Sequence, residues 1–513
     1  NAGTATVRVK GLGAYEGYTD IQFSISKKAI TITANAQTTE IGQLINKTAS
    51  QVTASGLISG HSIQSVTLKQ SKTTADGTIT ASNAKIVDSS SNNVTANYAI
   101  TYATGALTVE VNWVFSLNTS AKTATITNYK GSSKTPTVPS KYYDDSETAY
   151  TVTTIGGASL SSDGAFDSKN VTSVTIPSSV TTIEAHAFYS CKLSSISLTS
   201  GLTSIGDNAF YSCKNLTSIT IPSTVTTIGE TIFYRCNSLK TITVNSGNSK
   251  YKGEGNAIIE RSSNTLIVGC TNTTIPNTVT KIGDSAFSCY YSDYYNPTEG
   301  LKSITIPNSV KEIGDNAFSL TDLTSITIPA SVTKIGAGVF SSCSKLETIT
   351  VNANNSKYKS ENNAIIEKSS NTLIAGCKSS TISNTVTKIG DSAFSGIPIT
   401  SITIPDSVTS IEFFAFSATK LTEVVIPDSV TSLGKHAFYN NSYLTSVTIG
   451  RGVKSIGILA FGMCTISLKN VTFKVTAGWK AGSTTLTETD LSNTSTAATY
   501  LKSTYSSRTW TRS

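Results

Sequence analysis

The residues that do chemistry are few in this chain, and their spacing assembles no catalytic site. Three histidines are present among 513 residues. His61 falls in a Gly-His-Ser turn, while His186 and His436 each immediately precede an Ala-Phe pair. At the slot shared by the last two, other repeats place Asn208, Ser285, Asn316, Gly338 or Ser392, so the slot reads as tolerant. A nucleophile needs a base that a third group orients, and no Ser/His/Asp or Cys/His set is suggested. The carboxylates are scattered singly, which argues against the paired acids of glycoside hydrolysis. No phosphate-binding loop, dinucleotide fingerprint or HExxH is present. The chain is therefore read as a non-enzyme with no catalytic residue, no cofactor and no metal site.

Eight cysteines invite a disulfide or metal reading until they are placed in register. Cys191, Cys213, Cys236, Cys343 and Cys464 each lie three residues after a phenylalanine, and Cys289 two after one. Cys270 and Cys377 occupy matching Gly-Cys positions in two related insertions. Metal binding calls for convergent sets such as C-x-x-C, which are missing. Cysteine tied to a repeat phase reads as a small buried hydrophobe filling one slot per repeat, with its thiol free.

The phenylalanines set that phase. They stand at Phe166, Phe188, Phe210, Phe233, Phe287, Phe318, Phe340, Phe394, Phe416, Phe438 and Phe461, mostly 22 or 23 residues apart. A fixed period in this range implies a solenoid whose units bury their apolar faces only against one another. One clean unit runs from Leu216 to Cys236. Leu216, Ile219 and Ile221 alternate with Ser218 and Thr220, the period of a short strand with one wet face. Pro222 then ends the strand, because it cannot donate to the next ladder bond. Pro177, Pro276, Pro307, Pro329, Pro405 and Pro427 hold the same slot. A second extended run leads to a glycine, often followed by Asp (Asp207, Asp284, Asp315, Asp391). That Asp is expected to N-cap a short helical turn carrying Ala-Phe.

The pattern L-x-x-I-x-I-P-x-x-V-x-x-I-G-x-x-A-F-x-x-C resembles the BspA-type leucine-rich repeat over about residues 114–472. The resemblance implies a curved solenoid with a parallel sheet on its concave face, in a bacterial surface or secreted protein used for adhesion or protein binding. It brings no catalytic residues with it. Two near-identical insertions, 245–270 and 352–377, each read as a lead-in followed by a β-hairpin, a modified coil.

Around the repeats, five segments are expected. Residues 1–28 read as two strands remaining from a preceding β-domain. Residues 29–112 have the size and strand rhythm of an Ig-like β-sandwich and resemble MBG-type bacterial surface modules. Residues 113–165 read as the N-terminal cap and first coil, 166–472 as the repeats, and 473–513 as a C-terminal cap. A single short helix is expected in that cap, with Trp479, Tyr505 and Trp510 closing the core. The fold class is thus mainly β, a leucine-rich solenoid of short parallel strands and helical turns behind a β-sandwich.

Two features are candidates for ligand binding. The outward strand positions Ser218, Thr220, Thr241, Thr243, Ser303, Thr305, Ser325, Thr327, Thr348 and Thr350 are expected to stack into two hydroxyl ladders about 4.8 Å per rung. The same ladders are expected to extend through Ser173/Thr175, Ser195/Ser197, Ser401/Thr403, Glu423/Val425 and Ser446/Thr448. Separately, Tyr290, Tyr291, Tyr294 and Tyr295 crowd one insertion, and exposed tyrosines give large contact area at low entropic cost. A host or matrix protein, or a glycan, is the expected partner; the alternatives are a stalk with no ligand and a carbohydrate-binding accessory module.

Composition narrows the setting. Only 14% of residues are charged and one is Met, a balance common in secreted β-rich proteins. The net charge of +8 is dispersed without the basic cluster a nucleic-acid surface needs. No stretch reaches the roughly 20 apolar residues of a membrane helix, and no signal peptide is seen. A monomer outside the cell or on its surface is expected, with targeting and anchoring segments lying outside this chain.

Overall fold

The computed structural model describes residues 1–157, 164–288 and 300–513; Tyr290, Tyr291, Tyr294, Tyr295 and Cys289 lie outside the described residues. The protein is mainly β, and among the described residues α-helix is confined to Glu488–Ser492 and Thr494–Thr499. Two compact units are distinguished: Asn1–Ser133 with Val138–Gly156, and Lys134–Thr137 with Gly157–Ser513.

In the first unit, Gly3–Lys10 and Tyr18–Ile25 form an antiparallel hairpin. Two further sheets follow. In one, Lys28–Ala34 pairs antiparallel with Val52–Ser55 and parallel with Tyr98–Ala103. In the other, Gly77–Val87 lies between Ser62–Gln70 and Gly105–Glu110, and Gln37–Glu40 joins the far edge. Alternation decides which residues turn inward: Ile30, Ile32, Leu68, Ile79, Ile86, Tyr98 and Leu107 form a common core. His61 is accounted for there, because its Nδ1 lies 2.6 Å from the Tyr98 hydroxyl. Trp113–Asn118 and Thr123–Tyr129 continue the same unit. Trp113 is buried and donates from Nε1 to Glu40 at 2.9 Å, and the Thr73 amide donates to Asp145 at 2.8 Å.

The second unit is built from stacked coils. Each carries two extended runs, a longer one such as Ser218–Ile221 and a shorter one such as Thr227–Ile228. The shorter runs stack parallel and in register, for example Ile282 on Ile313 on Ile335. After Pro222 the chain turns sharply: the proline carbonyl accepts from Val225 N, and Pro177, Pro276, Pro307, Pro329, Pro405 and Pro427 do the same for Val180, Val279, Val310, Val332, Val408 and Val430.

The phenylalanines form ladders through the middle of this unit. Phe394, Phe416, Phe438 and Phe461 stack nearly face to face with centroids 5.2 Å apart at each step. All four are fully buried, which removes each ring from water at a gain of about 1.5–3 kcal/mol. One contiguous core runs from Ala257 to Trp510.

The expected helical turn does not form, and the expected N-cap is corrected with it. Alternate N–H groups around Ala-Phe are used between coils, as Phe188 N donates to Ala209 O and Phe416 N to Ala437 O, while those between them close i→i−3 turns such as Ala209 N to Gly206 O. The Asp carboxylates reach the next coil as well. Asp207 accepts from Glu230 N at 2.8 Å, Asp315 from Ala337 N at 2.8 Å and Asp391 from Phe413 N at 3.2 Å. A solenoid turn satisfies its backbone sideways, so no i→i−4 ladder is left for a helix. The slot of His186 and His436 is also less permissive than its varied residues suggest. Its occupants Asn208, Ser285, Asn316, Ser392, Thr231, Phe414 and Leu459 all hold positive φ, as do His186 and His436.

Each insertion is a three-stranded antiparallel meander. Tyr251–Glu254, Ala257–Glu260 and Thr265–Val268 form the first, and Tyr358–Glu361, Ala364–Glu367 and Thr372–Ala375 the second. The third strand of each then takes the place of a short run in the parallel stack, against Lys281–Ile282 and Lys388–Ile389. Buried Asn248 and Asn355 pin the lead-ins by donating to Pro222 and Val225 carbonyls, and to Pro329 and Val332 carbonyls.

At the C-terminal end Trp510–Arg512 pairs antiparallel with Ser455–Ile456. Trp479 and Trp510 are buried, with Trp510 stacked on Phe473 at 6.0 Å, and Tyr505 packs partly buried against the core. Two short helices stand where a single one was expected, separated at Asn493, which accepts from Ser495 N and Thr496 N.

Candidate functional site

The long-strand face presents the candidate hydroxyls. Ser218, Thr220, Thr241, Thr243, Ser303, Thr305, Ser325, Thr327, Thr348 and Thr350 are all exposed, while the residues between them turn inward. Register places Ser218 beside Thr241, Thr220 beside Thr243, Ser325 beside Thr348 and Thr327 beside Thr350. The Thr220 and Thr243 hydroxyls lie 2.7 Å apart, bonded to each other.

The ladders are not continuous. Among the described residues, long runs pair as strands in three separate groups: Ser218–Ile221 with Thr241–Val244, Ser325–Ile328 with Thr348–Val351, and Glu423–Val425 with Ser446–Ile449 and Asn470–Phe473. The breaks fall after each insertion. Ser303–Ile306 and Ser401–Ile404 belong to no strand, and among the described residues neither segment makes a backbone bond to an adjacent coil. A groove opens at each break, about 610 Å3 beside Ser303–Ile306 and about 1010 Å3 beside Ser401–Ile404.

The cause lies in one residue of each insertion coil. Other coils put an apolar side chain at the slot of Ile219, but these put Thr273 and Ser380 there. Both hydroxyls turn inward. Thr273 Oγ1 donates to Asn256 O and accepts from Cys270 N, and Ser380 Oγ donates to Asn363 O and accepts from Cys377 N. Short side chains held this way leave the next coil uncovered. Ile304 and Ile402 are only partly buried, whereas Ile219, Ile242, Ile326, Ile349, Val424 and Val447 at the same slot are buried. The larger groove is rimmed by Asp406, Glu423 and Asp428, with Lys474 bonded to Asp428 at 2.9 Å. The Asp428 carboxyl is held below its ordinary range, first by the Arg451 N–H and then by Lys474. This signal was present in the sequence, as Thr and Ser in place of an aliphatic residue, but only packing gave it meaning.

The seven described cysteines are buried free thiols. They are more than apolar filler: Cys191, Cys213, Cys236, Cys343 and Cys464 donate from Sγ to the carbonyl of the preceding coil's phenylalanine. Burial pushes the Cys343 and Cys464 thiols up to about 11. Among the described residues, no three His, Cys, Asp or Glu side chains gather as a metal set, and no helix is long and apolar enough to cross a membrane.

Comparison with known proteins agrees with this architecture. The BspA type leucine rich repeat region matches in six copies over residues 161–288, 258–368 and 364–478. No curated protein matches the chain. Among solved structures, a leucine rich cell surface protein from Faecalibacterium prausnitzii is 27% identical, over 72% of this chain and 94% of that one, with a TM-score of 0.41. A leucine-rich repeat protein from Eubacterium ventriosum is 23% identical over 71% of this chain and 77% of that one, TM-score 0.37. The pneumococcal vaccine antigen PcpA is 21% identical over 71% of this chain and 86% of that one, TM-score 0.34. With residues 161–478 matched, more than half of its length, the chain belongs to the BspA-type leucine-rich repeat family.

Proposed function

We propose that this is a non-enzymatic, adhesin-like binding protein, secreted or held at a bacterial surface, whose solenoid engages host proteins or glycans. The observation that carries this reading is the long-strand face. Its candidate outward positions are short hydroxyl side chains, exposed and in register within each strand group, while the seven described cysteines are buried. Such a surface offers repeated, weak hydrogen-bonding sites, and affinity then grows with the number engaged. Residues 29–112 serve in this reading as an Ig-like stalk module, with the chain acting as a monomer. On sequence grounds the tyrosine-rich insertion is a second place for recognition.

The stalk alternative is favoured by one contact. Thr220 and Thr243 satisfy each other, so part of the face is content without a ligand. The deciding experiment is a screen of the full chain against extracellular-matrix proteins and a glycan array. Two variants run beside it: one with Ser325, Thr327, Thr348 and Thr350 changed to Asp, and one with Tyr290, Tyr291, Tyr294 and Tyr295 changed to Ser. A ligand lost in either variant places recognition on that feature. The absence of any ligand for the unaltered chain rejects the adhesin reading and leaves the stalk.

A further inference from the structure

We propose that the groove beside Ser401–Ile404 is a strand-acceptor site that takes an extended peptide of alternating apolar and basic residues. The inference rests on the binding reading above and names the ligand class for one part of the same face.

Four observations converge there. First, the backbone of Ser401–Ile404 alternates exposed and inward positions like its neighbours yet, among the described residues, has no ladder partner. An extended segment with unpaired N–H and C=O groups is a template for β-addition. Second, Ile402 is only partly buried, whereas its counterparts in adjacent coils are covered. An added strand supplies the missing cover through every second side chain.

Third, a hydroxyl next to the segment is left over. Ser331 and Ser429 donate to the valine carbonyl of the preceding coil, Val310 and Val408, at 2.7 Å. Ser407 holds the corresponding place after Pro405, and its Oγ is buried with no partner. The same is true of Ser309 beside the smaller groove, and also of Ser179, at the same place in a coil that follows neither insertion. Fourth, the rim carries Asp406, Glu423 and Asp428 against Lys474, which favours cationic side chains on the outward face of the strand. Among the described residues no aromatic ring lines the groove, which favours peptide over the stacked binding typical of sugar sites.

The groove beside Ser303–Ile306 has the same gap with an uncharged rim of Ser, Thr and Asn. It is expected to accept the same backbone without the preference for basic residues.

The test uses an acetylated, amidated peptide of three Lys-Val pairs, titrated into the full chain and followed by calorimetry and by amide hydrogen exchange. Saturable binding is expected, with added protection at the Ile402, Thr403 and Ile404 amides. The double variant Asp406→Lys with Glu423→Lys changes only exposed positions and is expected to weaken binding by about tenfold or more. N-methylation of alternate peptide amides, which removes donors and keeps side chains, is expected to abolish it. No saturable binding, or binding indifferent to both changes, overturns the proposal. A chain that holds a matrix protein or glycan yet ignores the peptide overturns the cleft and leaves the broader reading standing. A chain that binds the peptide but no matrix protein or glycan supports the cleft and removes that broader reading.

Discussion

The Cys343 thiol donates to the Phe318 carbonyl across the coil boundary at 3.0 Å, while Thr321, at the Cys343 slot one coil earlier, donates to that same oxygen at 2.8 Å. In these coils the slot three residues after the phenylalanine holds a small donor rather than a small hydrophobe, although Ile397 fills it after Phe394. Asn441 shows the rule most fully. It donates from Nδ2 to both Phe416 O and Phe438 O and accepts from Thr419.

That rule predicts the effect of replacing Asn441, which is fully buried. Asn441→Ala removes the donor to the Phe416 carbonyl and the acceptor of the Thr419 hydroxyl, leaves the Phe438 carbonyl only the Cys464 thiol, and is expected to cost about 2–3 kcal/mol in a urea titration. Asn441→Cys restores the residue used by other coils and is expected to recover part of that loss. Equal destabilisation by both variants would show that shape, not hydrogen bonding, governs the slot.

The thiols predict an alkaline limit to stability. Burial raises the Cys343 and Cys464 thiols from an ordinary 9.0 to about 11, so the folded chain disfavours their thiolates. Below about pH 9 their contribution is fully present; as pH rises towards about 11 the unfolded chain ionises first and stability falls. The expected slope is about 1.4 kcal/mol per pH unit for each thiol. Urea midpoints across that window should fall less steeply for the Cys343→Ala, Cys464→Ala double variant. At neutral pH the seven described thiols should leave a thiol reagent unconsumed until the chain is unfolded, with a Cys289→Ser background used for the count.

Phenylalanine stacking predicts a local rather than a global lesion. Phe416→Ala opens a cavity between Phe394 and Phe438 and is expected to cost about 3–5 kcal/mol. Because coils contact only their neighbours, hydrogen exchange should quicken most around residues 389–438 and least near Phe210. Uniform loss of protection along the solenoid would contradict this.

Two glycines next to cysteines are fixed by those rings. A Cβ on Gly376 would stand 2.1 Å from the Phe394 ring, and one on Gly269 2.2 Å from the Phe287 ring. Gly376→Ala is expected to destabilise by about 1–3 kcal/mol through overpacking. Pairing it with Phe394→Leu should recover part of the loss, read as non-additivity in a double-mutant cycle.

Thr231 predicts a gain. A β-branched residue at φ 49° is strained, at a cost of about 1–2 kcal/mol. Asn208 and Asn316 hold the same slot in other coils, so Thr231→Asn is expected to raise the thermal midpoint, by about 1 kcal/mol in stability. A fall instead would mean that the Thr231 hydroxyl bond to Asn208, 2.7 Å long, outweighs the strain.

Much of this protein was determined by local sequence. A phenylalanine every 22 or 23 residues, a strand closed by Pro222 and alternation through Ser218 and Thr220 specify which faces are dry, because each coil repeats one burial problem with one solution. The paired insertions also declared their β-hairpins, through Ala257–Glu260 and Ala364–Glu367. What the tertiary structure decided concerns relations between coils. Asp207 caps the next coil instead of its own turn, His186 and His436 occupy a left-handed slot, and the cysteines donate across the boundary. The break in the hydroxyl ladders belongs here too: Ser380 turns inward to Asn363 and Cys377 and leaves Ile402 half covered. A sequence records the period of a solenoid, whereas the bonds between successive periods depend on distances set only when the coils stack.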